Sequence, residues 1–315
     1  MLTDTKKMLD KARDGGYAVG AFNAENAEMV FAIVAAAQKC KAPVILQTTP
    51  STLRYLPPAC FAGIAAAAAK NAAVPVALHL DHGDSLELVK ECLDAGYTSV
   101  MFDGSRLPFA ENADLTAQAV QMAKACGASC EGELGTVGGK EDSLTAEAGA
   151  YTDPAEAAEF VRCSGVDSLA VAVGTAHGVY HTAPKLDFAR IPLIQAQADL
   201  PLVLHGASGL PDTVVREAVA KGMAKVNFAT ELRQTFTEAV RRALAQEPQG
   251  FDPKKYLDQG RKSVQKLPLI FMKSLNLNIK NRTWVYINTI MFLNVFCKTY
   301  FVLIFNIHKF SLSFP

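Results

Sequence analysis

The sequence predicts an α/β protein built as a (β/α)8, or TIM, barrel, and three observations lead there. Eight short apolar runs alternate with eight helical patterns between Gly16 and Gln246. The runs lack the alternation of a half-exposed strand, so they read as parallel strands buried on both faces. No GxGxxG follows the first run, which argues against an open dinucleotide-binding sheet.

Taken in order, the first strand is predicted over Ala18–Phe22. It follows a segment, MLTDTKKMLDKARDGGYAVG, that suits a short amphipathic helix and lacks the apolar core of a signal peptide. Helix Ala27–Lys39 comes next, then strand Val44–Thr48 with helix Pro58–Lys70, and strand Val76–Leu80 with helix Leu86–Ala95. Strand Ser99–Phe102 precedes helix Phe109–Cys126, and strand Ser129–Glu133 precedes helix Pro154–Cys163. The last three units are Ser168–Val173 with Asp187–Gln197, Leu202–Leu204 with Pro211–Ala220, and Lys225–Phe228 with Glu231–Gln246. Pro154 after Thr152-Asp153, and Pro211 before Asp212, mark helix starts, while Gly96, Gly127, Gly165 and Gly222 mark helix ends. One connection is long: Gly135–Thr152 reads as an unstructured βα loop, the kind that serves as a lid.

Charge is distributed unevenly although the total is zero. Residues 1–260 hold 23 Lys and Arg against 31 Asp and Glu, a net −8, and the remainder carries +8. An acidic body argues against nucleic acid as a partner. The seven cysteines are scattered with no CxxC pair, so free thiols in a reducing, cytoplasmic setting are expected.

Three histidines stand where an apolar run breaks into glycine: His82 in VALHLDHGDS, His177 in SLAVAVGTAHG and His205 in LPLVLHGASG. On a barrel these are the C-terminal ends of the third, sixth and seventh strands, where active sites collect. Three imidazoles converging there suit Zn²⁺ with a position left open for substrate. His79, His181 and His308 are not expected to be ligands. Asp81 beside His82 is either a proton-transfer group at the metal-held substrate or a turn residue. Asp103 and Glu133 also sit at strand ends, where they would orient the histidines, hold metal in a second position, or serve structure. Gly206-Ala207-Ser208-Gly209 and Asn227-Phe228-Ala229-Thr230 follow the seventh and eighth strands, the usual phosphate corner of a barrel. Glu141 rides in the long loop after Gly138-Gly139, which would act as a hinge that brings a carboxylate in with substrate. Together these features point to carbanion chemistry next to a carbonyl, with metal stabilising an enediolate. Lys225 begins its strand, the wrong end for a Schiff base.

AFNAENAE, HLDHGDS, FDGSRLPFAEN, ELGTVGGKED, GTAHGVY, LVLHGASG and KVNFATEL, in this order, resemble segments of the class II, zinc-dependent ketose-bisphosphate aldolases over roughly residues 1–262. Within that family, FDGS…FAEN, YTDPAEA and NFATEL look closer to the tagatose-1,6-bisphosphate aldolases than to the fructose enzymes. The resemblance implies reversible cleavage of D-tagatose 1,6-bisphosphate to dihydroxyacetone phosphate and D-glyceraldehyde 3-phosphate, with fructose 1,6-bisphosphate as the rival substrate. It implies zinc on His82, His177 and His205, with Asp103 and Glu133 at alternative metal positions. Asp81 would exchange the C4 hydroxyl proton and Glu141 the C3 proton. Gly178, Gly206, Ala207, Ser208, Asn227, Phe228, Ala229 and Thr230 would hold the dihydroxyacetone phosphate half, with a monovalent cation (Na⁺ or K⁺) nearby. A homodimer or homotetramer is implied. Some aldolases of this type pair with a non-catalytic barrel subunit, and the intact His82, His177 and His205 with Asp81 and Glu141 would make this chain the catalytic one rather than that subunit.

After Lys262 the pattern departs from the family. From Arg261 to Pro315 there is no Ala, Gly, Asp or Glu, and ten of the chain's 26 aromatics lie beyond Leu267. The expected organisation is a barrel over 1–262 and an apolar, basic tail over 263–315, of frameshifted or foreign origin and dispensable for folding. Trp284–Ile307 has the length of a membrane span, but Asn288, Asn294, Lys298 and Asn306 argue against one. Relatives supply a basic residue for the second phosphate near YLDQGRK, where Asp258 stands in its place and Arg261 would compensate.

Overall fold

In the computed structural model the described residues are 1–141, 144–146, 151–178, 180 and 184–276, with only the backbone described at 140, 141 and 144–146. Eleven strands lie among them: β1 Val19–Asn23, β2 Val44–Thr48, β3 Val76–Gly83, β4 Ser99–Phe102, β5 Ser129–Leu134, β6 Gly138–Glu141, β7 Leu144–Ala146, β8 Ser168–Val171, β9 Ala176–His177, β10 Leu202–Leu204 and β11 Met223–Phe228. Eight of them close a parallel barrel in the order β1-β11-β10-β8-β5-β4-β3-β2, so the predicted (β/α)8 fold is the observed one. The barrel strands are buried throughout and most are rich in Val, Leu and Ala, with buried polar groups such as Gln47, His79, Glu131 and Lys225 set among them.

Helix α1, Lys6–Gly15, packs against β1 and β11, and Leu2 bridges Val76 at the start of β3, so the N-terminal segment closes the far end of the barrel from the site. The outer helices are α2 Ala27–Cys40, α3 Pro50–Tyr55, α4 Pro58–Ala69, α5 Leu86–Asp94, α6 Phe109–Ala125, α7 Pro154–Ser164, α8 Arg190–Ala198, α9 Asp212–Lys221 and α10 Thr230–Gln246, followed by α11 Pro253–Val264 and α12 Lys266–Ser274. Side-chain caps fix several starts: Asn26 accepts from the Met29 amide, Ser85 from Leu88, and Asp153 from Ala155 and Glu156.

Two departures from the sequence expectations matter for the site. The loop after β5 is not unstructured, because β6 and β7 form an antiparallel hairpin and β9 adds to β6 in a separate three-stranded sheet. The second departure concerns the C-terminal part. Phe271 stacks on Phe228 with ring centroids 4.3 Å apart, Met272 and Leu275 are buried, and the Leu275 carbonyl accepts from the Ala18 amide at 3.1 Å. α12 thus lies between α2 and α9 over β1, in the outer ring, and the packed body passes the composition change at Lys262. A chain ending at Lys262 is therefore expected to melt lower than one ending at Asn276, by about 1.5–3 kcal/mol of stability for each buried side chain withdrawn. Thermal unfolding of the two truncations measures this, and equal midpoints would make α12 dispensable. Residues 277–315, including Trp284–Ile307, lie outside the described residues, as do His181 and His308. Among the described residues no helix is long and apolar enough to cross a membrane.

Candidate metal centre and active site

The β3 end carries two neighbouring functional groups because the strand is irregular there. In a regular strand Asp81 and His82 would point to opposite faces. The pairing of β3 with β4 shifts between Leu80 and Gly83, and His82 takes a left-handed φ of 50°, a conformation held only where surroundings enforce it. Both side chains are buried. His205 follows β10 directly and is also buried. His177 is not at the end of the sixth barrel strand, as expected; β8 stops at Val171, and the histidine sits on β9 beside β6. One nitrogen from each of His82, His177 and His205 nevertheless falls within 4.8 Å of the others.

The carboxylates around these rings decide which nitrogens face inward. Asp103 Oδ2 lies 2.7 Å from His82 Nδ1, and Glu131 Oε1 lies 3.1 Å from His205 Nε2. Burial works against the charge on Asp103, yet the hydrogen bond and charge of His82, with help from Ser105, hold its carboxyl well below the usual range. Burial opposes charge on Glu131 as well, and Lys225, then His205 and His79, outweigh it and hold that carboxyl low. Ionised carboxylates only accept, so they take Nδ1–H of His82 and Nε2–H of His205. His82 Nε2 and His205 Nδ1 are then left facing each other at 2.9 Å. Two lone pairs at that distance are satisfied by a proton or a metal ion, and burial pushes the His205 imidazole toward its neutral, ligating form. The donor set therefore fits a metal. Glu133 supplies a second set with His82 and Asp103. Among the described residues its Oε2 is buried without a hydrogen-bond partner, 3.6 Å from His205 Nδ1, and burial and the Asp103 charge push its carboxyl well up.

Asp81 is held from two sides. Asn23 Nδ2 donates to its Oδ2 at 2.8 Å and Asn227 Nδ2 to its Oδ1 at 3.1 Å, while Gln47 Nε2 donates to Asn23 Oδ1 at 3.0 Å. Beside the histidines, a small cavity is lined by His177, Gly178, Gly206, Ser208, Asn227, Ala229, Thr230 and Arg233. This gathers six of the eight residues expected at the phosphate corner. Ala207 is buried, and Phe228 turns its ring out of the barrel to stack on Phe22 and Phe271, so neither side chain lines the cavity. Tyr180 ties the corner to β9, its hydroxyl accepting from the Ala176 amide and donating to the Gly206 carbonyl.

Glu141 is placed by its backbone on β6, opposite Leu144; its side chain lies outside the described part. Gly139, expected to act as a hinge, is paired on the same strand. It pairs with His177 at φ +95°, and a Cβ there would lie 2.2 Å from the His177 carbonyl oxygen. Gly139→Ala is expected to displace His177 and weaken metal binding about tenfold, since such strain is worth of order 1–3 kcal/mol. Competition with a chromogenic chelator reads the change, and an unaltered affinity would mean that β6 does not hold His177.

The family model "Fructose-bisphosphate aldolase class-II" matches residues 3–279. The chain belongs to that family. Class II aldolases are lyases that carry out metal-dependent aldol cleavage, and solved relatives agree in fold. The YdjI aldolase from Escherichia coli K12 is 36% identical, with a TM-score of 0.79 over 89% of this chain and 100% of that one. A putative fructose-1,6-biphosphate aldolase from Coccidioides immitis is 28% identical, with a TM-score of 0.79 over 88% of this chain and 97% of that one. The fructose-bisphosphate aldolase from Campylobacter jejuni, at 24% identity and TM-score 0.75 over 88% of this chain and 96% of that one, shares the fold.

Several residues in this site escaped the sequence reading. Asn23, which ends β1 and holds Asp81, and Gln47, which supports Asn23 from the penultimate position of β2, place amides near strand ends, a signal that was available. Glu131 was hidden because it lies within a strand whose inward face only barrel closure defines, and Lys225, expected to begin its strand, instead lies inside β11 and meets Glu131. Arg233 lines the cavity from α10, with its Nε 2.6 Å from Glu25 Oε1.

Proposed function

We propose that this class II aldolase uses zinc on His82, His177 and His205 to cleave D-tagatose 1,6-bisphosphate reversibly into dihydroxyacetone phosphate and D-glyceraldehyde 3-phosphate. The observation that carries the proposal is the junction at β3, where an amide-clamped Asp81 adjoins a histidine of the three-imidazole group. When bound, the ion supplies Lewis acidity to the substrate's carbonyl and hydroxyl oxygens. Asp81 takes the C4 hydroxyl proton as the C3–C4 bond breaks, and that bond's electron pair moves onto C3 and its neighbouring carbonyl. The aldehyde half leaves with a new C4 carbonyl, and Glu141 delivers the proton that C3 needs to become dihydroxyacetone phosphate. Backbone amides after Gly206 and Asn227, with the Ser208 and Thr230 hydroxyls, receive the phosphate of that half. Arg233 adds a guanidinium whose planar fork suits phosphate.

The preference for tagatose rests on the FDGS…FAEN, YTDPAEA and NFATEL segments. A second reading, the same cleavage of fructose 1,6-bisphosphate, is favoured by the family's description and by the Coccidioides immitis relative's name. The two sugars differ in configuration at C4, the carbon Asp81 serves. Cleavage of both by the zinc-loaded protein, measured side by side, separates them: a higher kcat/KM for tagatose 1,6-bisphosphate is expected, and an equal or higher value for the fructose sugar overturns the choice.

A further inference from the structure

An ion pair in the barrel core is not explained by substrate handling. Lys225 and Glu131 are both buried, with Nζ 2.8 Å from Oε2. A buried pair of this kind is seldom a net gain over apolar packing, so stability is a weak reason for its presence. Its connections point to another one. Through Oε1, Glu131 meets His205 Nε2 at 3.1 Å, and Lys225 Nζ lies 3.3 Å from His79 Nε2. His79 Nδ1 continues to Ser99 Oγ at 2.7 Å, and Ser99 to Thr5 Oγ1 at 3.0 Å. A polar path thus runs from the segment that closes the barrel's far end to one ring of the metal centre.

We propose that Lys225, acting through Glu131, is a positioning residue for the metal centre, fixing His205 with Nε2–H on Glu131 and the Nδ1 lone pair toward His82. A carboxylate paired with a cation has only acceptor sites to offer, so the one hydrogen of a neutral imidazole goes to Nε2 and Nδ1 stays bare. Lys225 sits on β11 and Glu131 on β5, across the barrel from each other, so the alignment depends on the closed barrel rather than on one loop. Lys225→Met keeps the length of the stem and removes the charge, whereas Lys225→Arg keeps the charge.

The inference rests on the zinc reading above, and the test separates the two. Zinc affinity is measured by chelator competition for the full chain and both variants, and the His205 tautomer by ¹⁵N imidazole shifts of the metal-free full chain. Zinc binding roughly 10–100-fold weaker in Lys225→Met is expected, as for other partners of ligating histidines. Recovery in Lys225→Arg and an Nε2–H tautomer for His205 are expected with it. A folded Lys225→Met protein with unchanged affinity, equal losses in both variants, or an Nδ1–H tautomer in the metal-free chain overturns the proposal. Should Lys225→Met not fold, the tautomer decides. A full chain that binds no zinc but shows Nε2–H overturns the zinc reading and leaves the positioning of His205 standing.

Discussion

Asp81→Asn is expected to lower kcat by roughly 10²–10⁴-fold, the usual contribution of a positioned proton-transfer group, while zinc content stays that of the unaltered chain. The substitution is nearly isosteric, and Asp81 is not among the residues grouped as metal ligands. On the proposed mechanism it removes the acceptor of the C4 hydroxyl proton, and it obliges an amide to face Asn23 and Asn227, which both donate to this position. One of those two has to turn its own amide over, and Asn227 Oδ1, buried without a partner among the described residues, is available for that. Folding should therefore survive, and the loss should appear in kcat more than in KM. Steady-state cleavage beside a metal assay decides: activity within threefold of the unaltered chain would remove Asp81 from the chemistry.

Stripping the metal with a chelator should abolish cleavage, and added zinc should restore it, whereas His205→Ala should not recover at any zinc concentration. His205 contributes one of the two facing nitrogens 2.9 Å apart, and its loss also takes one partner from the buried Glu131, leaving Lys225, Ser168 and the nearby His79. His79→Ala provides the contrast. That ring contacts Ser99, Lys225 and Glu131 rather than the metal group, so its removal should weaken zinc binding without eliminating it. A chelated chain that keeps full activity, or a protein that takes up no zinc, would instead favour a non-catalytic barrel.

Much of the fold was legible because most barrel strands are short, fully buried runs rich in Val, Leu and Ala, and such runs stand out between helical patterns. Strand ends were less so. Val76–Leu80 extends to Gly83, since a bulged strand keeps its hydrogen bonds past the point where polar residues begin. The glycines of the β5 loop misled for a related reason. Gly139 reads as freedom in a sequence, yet here it is a place where two backbones meet too closely for a Cβ. The change of composition after Lys262 was real, but Phe271, Met272 and Leu275 are as apolar as the residues any outer helix would use, and they pack accordingly.

By itself the sequence determined the parallel barrel and the residue types around its C-terminal end: three histidines, Asp81, and the glycine and hydroxyl residues of the proposed phosphate corner. These are local signals, carried by strand periodicity and by motifs of a few residues. Only the tertiary structure decided which ring nitrogens face one another, that Asn23 and Asn227 grip Asp81, and that Lys225 and Glu131 stand behind His205. Each of those contacts joins strands far apart in the chain, and closure of the barrel alone brings them within hydrogen-bond reach.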